Sequence, residues 1–235
     1  MSLPYFLCDD PAAGRLDGPE GRHAVTVKRI ETGEHIMLID GSGRTAEISV
    51  TEITGKDSLV GEVLRVDDVP QPRPQVTVVQ AIPKSERAEL AVDLAVQGGA
   101  DEIIPWISHR TIARWQGPKV AKNVEKWQAT AREAAKQSRR AWVPEVREPV
   151  TTNQLAELVR GHAAYVLHED ASTSIKDIDL DVDHLYLIVG PEGGIGQKEL
   201  AGIPAASISM GPEVLRTASA ALAALSAIGA LTHRW

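Results

Sequence analysis

Over the first 66 residues, apolar and polar positions alternate or cluster in short runs. His35–Ile39 and residues 46–50 group aliphatic and β-branched side chains, with turn signals at Asp40-Gly41-Ser42-Gly43 and Thr54-Gly55-Lys56-Asp57. Strands this short and this closely spaced predict a small β-barrel, interrupted by one helix at about 21–29. Between Asp67 and Pro74 three prolines fall in five positions, which removes backbone donors and predicts a semi-rigid linker. The domain boundary is placed there: 1–69 for the first domain, 70–74 for the linker, 75–235 for the second.

Beyond the linker the period changes. Apolar runs at 76–79, 102–105, 164–167, 185–189 and 206–209 read as strands. Segments 85–97, 119–140, 152–160, 197–201 and 218–231 read as helices. Continuous apolar strands separated by helices predict an α/β domain with a mainly parallel sheet covered on both faces.

Composition narrows the class. With 43% hydrophobic and 24% charged residues the chain can build a core, which excludes a disordered or fibrous protein. The single cysteine, Cys8, excludes an intramolecular disulfide. The start lacks a basic segment followed by a long apolar one, so the cytoplasm is the expected compartment. The uncharged stretch 217–233 is too weakly hydrophobic to span a bilayer, and no membrane partner is expected.

Net charge is −7, yet between Trp106 and Arg147 ten Lys+Arg stand against three Asp+Glu, a local balance of +7 that leaves −14 on the rest. A basic stretch in an acidic chain points to an anionic partner, because phosphate contacts respond to the local field. Charge alone is equally compatible with a solvated helix face. Trp115, Trp127 and Trp142 are interleaved with these cations, a pattern that suits RNA, although Trp127 lies in a helical pattern and reads as core.

Two strand-to-helix loops carry the sharpest signals. The run Leu187-Ile188-Val189 enters Gly190-Pro191-Glu192-Gly193-Gly194-Ile195-Gly196, and the strand at 206–209 enters Met210-Gly211-Pro212-Glu213-Val214-Leu215-Arg216-Thr217. Ligands of α/β sheets sit beyond the carboxyl ends of strands, where glycines admit close backbone approach. The first loop fits neither the dinucleotide fingerprint nor the phosphate-loop motif, which argues against nicotinamide and ATP enzymes. Side by side, the loops could surround adenine with backbone N–H and C=O groups. Arg216 at a helix start opposes the helix dipole, which favours a ligand-facing role. The seven histidines show no metal-ligand spacing, so no metal is expected.

Together these loops resemble the paired signatures of the SPOUT methyltransferases. The whole chain resembles the RsmE family of bacterial 16S ribosomal RNA (uracil-N3) methyltransferases. Further matches are His23 with Lys28-Arg29, Lys84-Ser85-Glu86-Arg87, Ile104-Pro105 with Ser108 and Arg110, Gln137-Ser138 with Arg140, and Leu167-His168. The resemblance implies an N-terminal PUA-like barrel that helps bind RNA and a SPOUT domain with a deep trefoil knot. It also implies S-adenosylmethionine as cofactor, a homodimer, and a uridine of the small ribosomal subunit as methyl acceptor. Carried over by position, Leu167, Gly190, Glu192, Gly193, Met210, Gly211, Leu215, Arg216 and Thr217 would line the cofactor site. His23, Arg29, Lys84, Arg87, Arg110, Arg114, Lys136, Arg139 and Arg140 would hold RNA. Lys136 and Arg139 depart from the family pattern of Glu and Gly, and His109 stands where Glu is frequent.

Uridine N3 carries a proton at neutral pH, so its lone pair becomes available only as that proton leaves. Arg216 is the candidate to stabilise charge developing on the uracil carbonyl. Glu192 or a water is the candidate proton acceptor, and Glu192 is equally suited to ordering its loop by accepting backbone N–H bonds. Two rival readings are a non-catalytic RNA-binding protein and a SPOUT enzyme acting on transfer RNA.

Overall fold

The computed structural model describes residues 3–84, 87–113 and 115–235. The chain forms two compact units. One runs up to Gln71 and includes Ala135–Val143; the other comprises Pro72–Ala134 and Pro144–Trp235.

In the first unit, β1 (Tyr5–Leu7), β2 (Arg15–Leu16), β3 (His35–Ile39), β4 (Arg44–Thr54) and β5 (Ser58–Asp68) form one mixed sheet in the order β1-β3-β4-β5-β2. Inward positions Phe6, Ile36, Leu38, Ala46, Ile48, Val50 and Leu59 make its core, as period-two patterning requires. Register shifts after Glu47 and after Val50 bend the long β4–β5 ladder. The expected helix is α1 (Gly18–Arg22), opened by a proline in its first turn and continued by a π-helical turn, His23–Val27. The chain leaves that turn through Arg29 at φ +55°. Cys8 is half-buried, and desolvation pushes its thiol up to about 11.

Residues 135–143 join the segment up to Gln71 in this unit. The Val143 amide donates to Gly41 O at 2.9 Å and the Gly43 amide to Ala141 O at 3.2 Å. The Trp142 indole N–H donates to Val69 O at 2.9 Å. Asp67 and Asp68, at the start of the proline-rich stretch, finish β5, paired with Thr45 and Arg44.

The second unit holds a seven-stranded sheet whose pairings are all parallel. Its strands are β6 (Gln75–Ala81), β7 (Glu102–Ile107), β8 (Glu145–Val146), β9 (Val150–Thr151), β10 (Ala163–Leu167), β11 (His184–Val189) and β12 (Ala206–Ile208). The order is β12-β10-β11-β6-β7-β8, with β9 also paired to β7. Its helices are α2 (Ala88–Gly98), α3 (Lys119–Gln137), α4 (Thr152–Leu158), α5 (Gln197–Gly202) and α6 (Thr217–Leu231).

One sheet face buries Val79, Ala81, Ile104, Trp106, Val166 and Ile188 against Leu155 of α4, Val159 and Ile203 directly after α4 and α5, and Ile195 before α5. α6 packs on α2, where a Cβ at Gly98 would stand 3.0 Å from the Leu225 Cβ. The small residues of α6 therefore have a neighbour within the chain. A capping box closes the start of α4: the Thr151 hydroxyl and the Gln154 side chain each meet the other's backbone amide. Among the described residues no helix is long and apolar enough to cross a membrane.

Candidate active site

The glycine loop after β11 and the loop after β12 open from the same carboxyl edge of the sheet, but their strands are not neighbours. β10 lies between them. The two loops therefore straddle the end of β10, and Leu167, His168, Glu169 and Asp170 fill the gap. The segment after β12 is tied to the connection that follows β10. The Ser209 amide donates to Thr173 O at 2.9 Å, and the Ile175 amide donates to Ser209 O at 3.0 Å.

Together these segments enclose a cleft of about 710 Å³. Val189, Ile195, Ile208 and Ala220 supply apolar lining, and Arg87, Arg110 and Arg216 supply cations. Gly190 is required by close approach: a Cβ there would stand 2.9 Å from Ile195 Cγ1. Gly194 adopts φ +68°, left-handed backbone that closes a turn with its amide on Pro191 O at 2.9 Å.

All nine residues expected to line a cofactor site, Leu167, Gly190, Glu192, Gly193, Met210, Gly211, Leu215, Arg216 and Thr217, stand on this one cleft. Glu192 Oε1 accepts the Lys84 backbone amide at 3.1 Å, which ties the glycine loop to the segment after β6. Arg216 sits at the N-cap of α6, where its carbonyl accepts the Ser219 and Ala220 amides. Its guanidinium forms no hydrogen bond or ion pair among the described residues, and the residue lines the cleft.

The residues expected to hold RNA separate. Arg87 and Arg110 line the cleft, and the Arg110 Nη1 donates to Gly193 O at 2.8 Å. Lys84 is exposed nearby in sequence, and Arg114 lies outside the described residues. His23, Arg29, Lys136, Arg139 and Arg140 belong to the first unit. Arg29 and Arg139 are exposed and are the two non-glycine residues with left-handed backbone among the described residues.

Lys136 departs from the expectation. Its side chain is 5% exposed and its Nζ contacts Glu20 Oε1 at 2.6 Å, while Glu20 Oε2 accepts the Leu7 amide. Its charge is consumed inside the first unit and is not presented to a phosphate. The interleaved tryptophans depart in the same way. Trp115 and Trp127 are buried edge-to-face at 5.0 Å, and Trp142 packs on Gly43, so none of the three is a free stacking platform.

His168, Glu213 and Val214, quoted above within the signature segments but given no role, also line the cleft, and so do Glu169 and Asp170, which were not anticipated. The signal for His168, Glu169 and Asp170 was their place directly after an apolar strand, where α/β sites collect their ligands. Glu199 was missed too. It is a buried carboxylate on α5 that accepts the His109 amide at 2.9 Å and the Thr152 hydroxyl at 2.6 Å.

An RNA methyltransferase domain family matches residues 70–229, and an RNA methyltransferase PUA domain family matches residues 16–64. The chain is 48% identical to the ribosomal RNA small subunit methyltransferase E of Mycobacterium bovis, over 97% of its own length and 90% of that protein. A Legionella pneumophila protein solved with bound cofactor SAM superposes with a TM-score of 0.86 at 28% identity, covering 98% of each chain. The ribosomal RNA small subunit methyltransferase E of Neisseria gonorrhoeae, solved bound to S-adenosylmethionine, gives 0.84 at 26% identity, again over 98% of each chain. With an RNA methyltransferase domain across most of its length and a curated relative at nearly half identity, the chain belongs to the ribosomal RNA small subunit methyltransferase E family.

Proposed function

We propose that this chain transfers the methyl group of S-adenosylmethionine to N3 of a uridine in 16S ribosomal RNA of the small subunit, as a cytoplasmic homodimer. The observation that carries the reading is the convergence of both glycine-containing loops and the end of β10 on one cleft.

The lining fits the cofactor. Leu167, Val189, Ile208 and Leu215 offer apolar surface to a flat base, and the two loops offer backbone N–H and C=O groups to its edge. Glu169, Asp170 and Glu213 supply acceptors for hydroxyl and ammonium groups. When bound, S-adenosylmethionine supplies a methyl group on a positively charged sulfur that leaves as a neutral thioether.

The residues of the chain supply the rest. Arg216, with no competing partner among the described residues, donates to a uracil carbonyl and stabilises the negative charge that develops there as N3 loses its proton. Glu192 lines the cleft and accepts the Lys84 amide through Oε1, so its second oxygen is the candidate acceptor. The N3 proton leaves to Glu192 Oε2 or to a water at the open mouth. Arg87 and Arg110, which line the same cleft, would contact the RNA backbone there. Arg29, Arg139 and Arg140, with His23, serve RNA binding on the PUA unit. A second copy of the chain would cover Ile112 and Val214, which are 71% and 75% exposed.

The test is methyl transfer from labelled S-adenosylmethionine to small subunits lacking the modification, followed by nucleoside analysis. The expected product is 3-methyluridine. Transfer to another nucleoside, or to transfer RNA alone, would overturn the assigned acceptor. No transfer by a folded preparation that binds RNA would favour a binding protein.

A further inference from the structure

Glu199 lies on α5, directly after the glycine loop, with a side chain only 1% exposed. Its Oε1 accepts the Thr152 hydroxyl at 2.6 Å and the His109 amide at 2.9 Å, and the Thr152 oxygen accepts the Trp106 indole N–H at 3.2 Å. Its Oε2 is buried with no hydrogen-bond partner among the described residues. An aliphatic side chain would fill this position without that desolvation penalty. The carboxylate is therefore explained by what its bonded oxygen secures.

His109 is the second residue of a turn closed at 3.1 Å by the Thr111 amide on Ser108 O. The turn is pinned by the buried hydroxyls of Ser108 and Thr111, 3.2 Å apart. The next residue, Arg110, leaves this turn along the glycine loop. Its Nη1 donates to Gly193 O at 2.8 Å. Side chains built at Gly193, Gly194 and Gly196 would start 3.7 to 3.9 Å from Arg110 atoms. Glu199 holds the turn, the turn aims Arg110, Arg110 holds Gly193, and six further residues of chain lead back to Glu199. The contacts form a closed ring around the loop.

We propose that Glu199 is a positioning residue of the cofactor loop, fixing the His109 amide so that Arg110 locks the Gly193 carbonyl and keeps the loop in its ligand-binding shape. The consequence for affinity rests on the reading that this cleft takes S-adenosylmethionine; the locking itself does not.

The experiment therefore has two readouts on the full chain. The first is amide hydrogen exchange over residues 192–197 without cofactor. Glu199→Ala, Arg110→Ala and His109→Pro are each expected to speed exchange about ten-fold, and Glu199→Gln, which keeps an acceptor oxygen, to restore it. His109→Pro removes the donor from the second turn position, which proline suits, and carries the test if Glu199→Ala does not fold. The second readout is S-adenosylmethionine affinity by calorimetry. Each unlocking variant is expected to bind about ten-fold more weakly, and the Glu199→Ala/Arg110→Ala double variant no more weakly than its worse parent. Unchanged exchange in His109→Pro, or fully additive losses in the double variant, would overturn the proposal. Altered exchange in a chain whose wild type binds no S-adenosylmethionine would leave the locking intact and overturn the cofactor reading instead.

Discussion

At the scale of single residues, the cleft separates groups held by the fold from groups left for a ligand. Glu192 gives Oε1 to the Lys84 amide, so part of its role is to order the loop. Among the described residues Arg216 forms no such side-chain contact, although it occupies a position that opposes the α6 dipole. An uncompensated cation at a helix start is mildly unfavourable, and a charge-stabilising role explains its placement. Arg216→Ala is expected to lower kcat for methyl transfer about 100-fold, the usual scale for removing one donor from developing negative charge. S-adenosylmethionine affinity by calorimetry should move less than about three-fold, because the interaction strengthens only as charge develops. Full turnover with unchanged cofactor affinity would show that Arg216 has no part in the chemistry.

At the scale of elements, what was legible in the sequence was local. The apolar run of β11, ending in Ile188-Val189, and its exit through Gly190-Pro191 announced a strand and a tight loop, because both follow from chain-local sterics. That β10 separates the two cofactor-side loops was not legible, since strand order is set by packing between distant segments. β8 and β9, two residues each, lack the length for a periodic signal. Helix α3 stops at Gln137 although its helical pattern runs on to Arg140, because Arg139 turns left-handed.

Lys136 shows the same limit for function. A cation in a basic run suggests a phosphate contact, but its partner Glu20 lies 116 residues away in sequence. Breaking a buried pair strands its other member, so Lys136→Met is expected to lower unfolding free energy in urea by about 3 kcal/mol. The Lys136→Met/Glu20→Gln double variant should recover much of that loss. RNA affinity per folded molecule should stay near wild type. A stable Lys136→Met variant with weakened RNA binding would instead return the lysine to the RNA surface.

At the scale of the whole molecule, the problem is how a chain of net charge −7 holds a polyanion. The segment from Trp106 to Arg147 supplies a local +7, while the rest of the chain carries −14 and repels phosphate. Not all of that positive charge is available. Lys136 is consumed by Glu20, Lys126 meets Glu89 at 2.9 Å, and Arg147 meets Glu102 at 3.4 Å. Lys119, Lys122 and Arg132 are exposed along α3 and remain as candidates for phosphate contacts. Counterion release makes such contacts countable, since each one lost flattens the slope of log K against log salt by about 0.7 to 0.9. Lys119→Glu with Lys122→Glu is expected to weaken binding to small-subunit RNA and to flatten that slope by roughly two contacts. Calorimetric affinity for S-adenosylmethionine should not change, because neither lysine lines the cleft. An unchanged slope would mean that this face of α3 is simply solvated, and would move the search for phosphate contacts to Arg87 and Arg110 at the cleft and to Arg29 and Arg139 on the PUA unit.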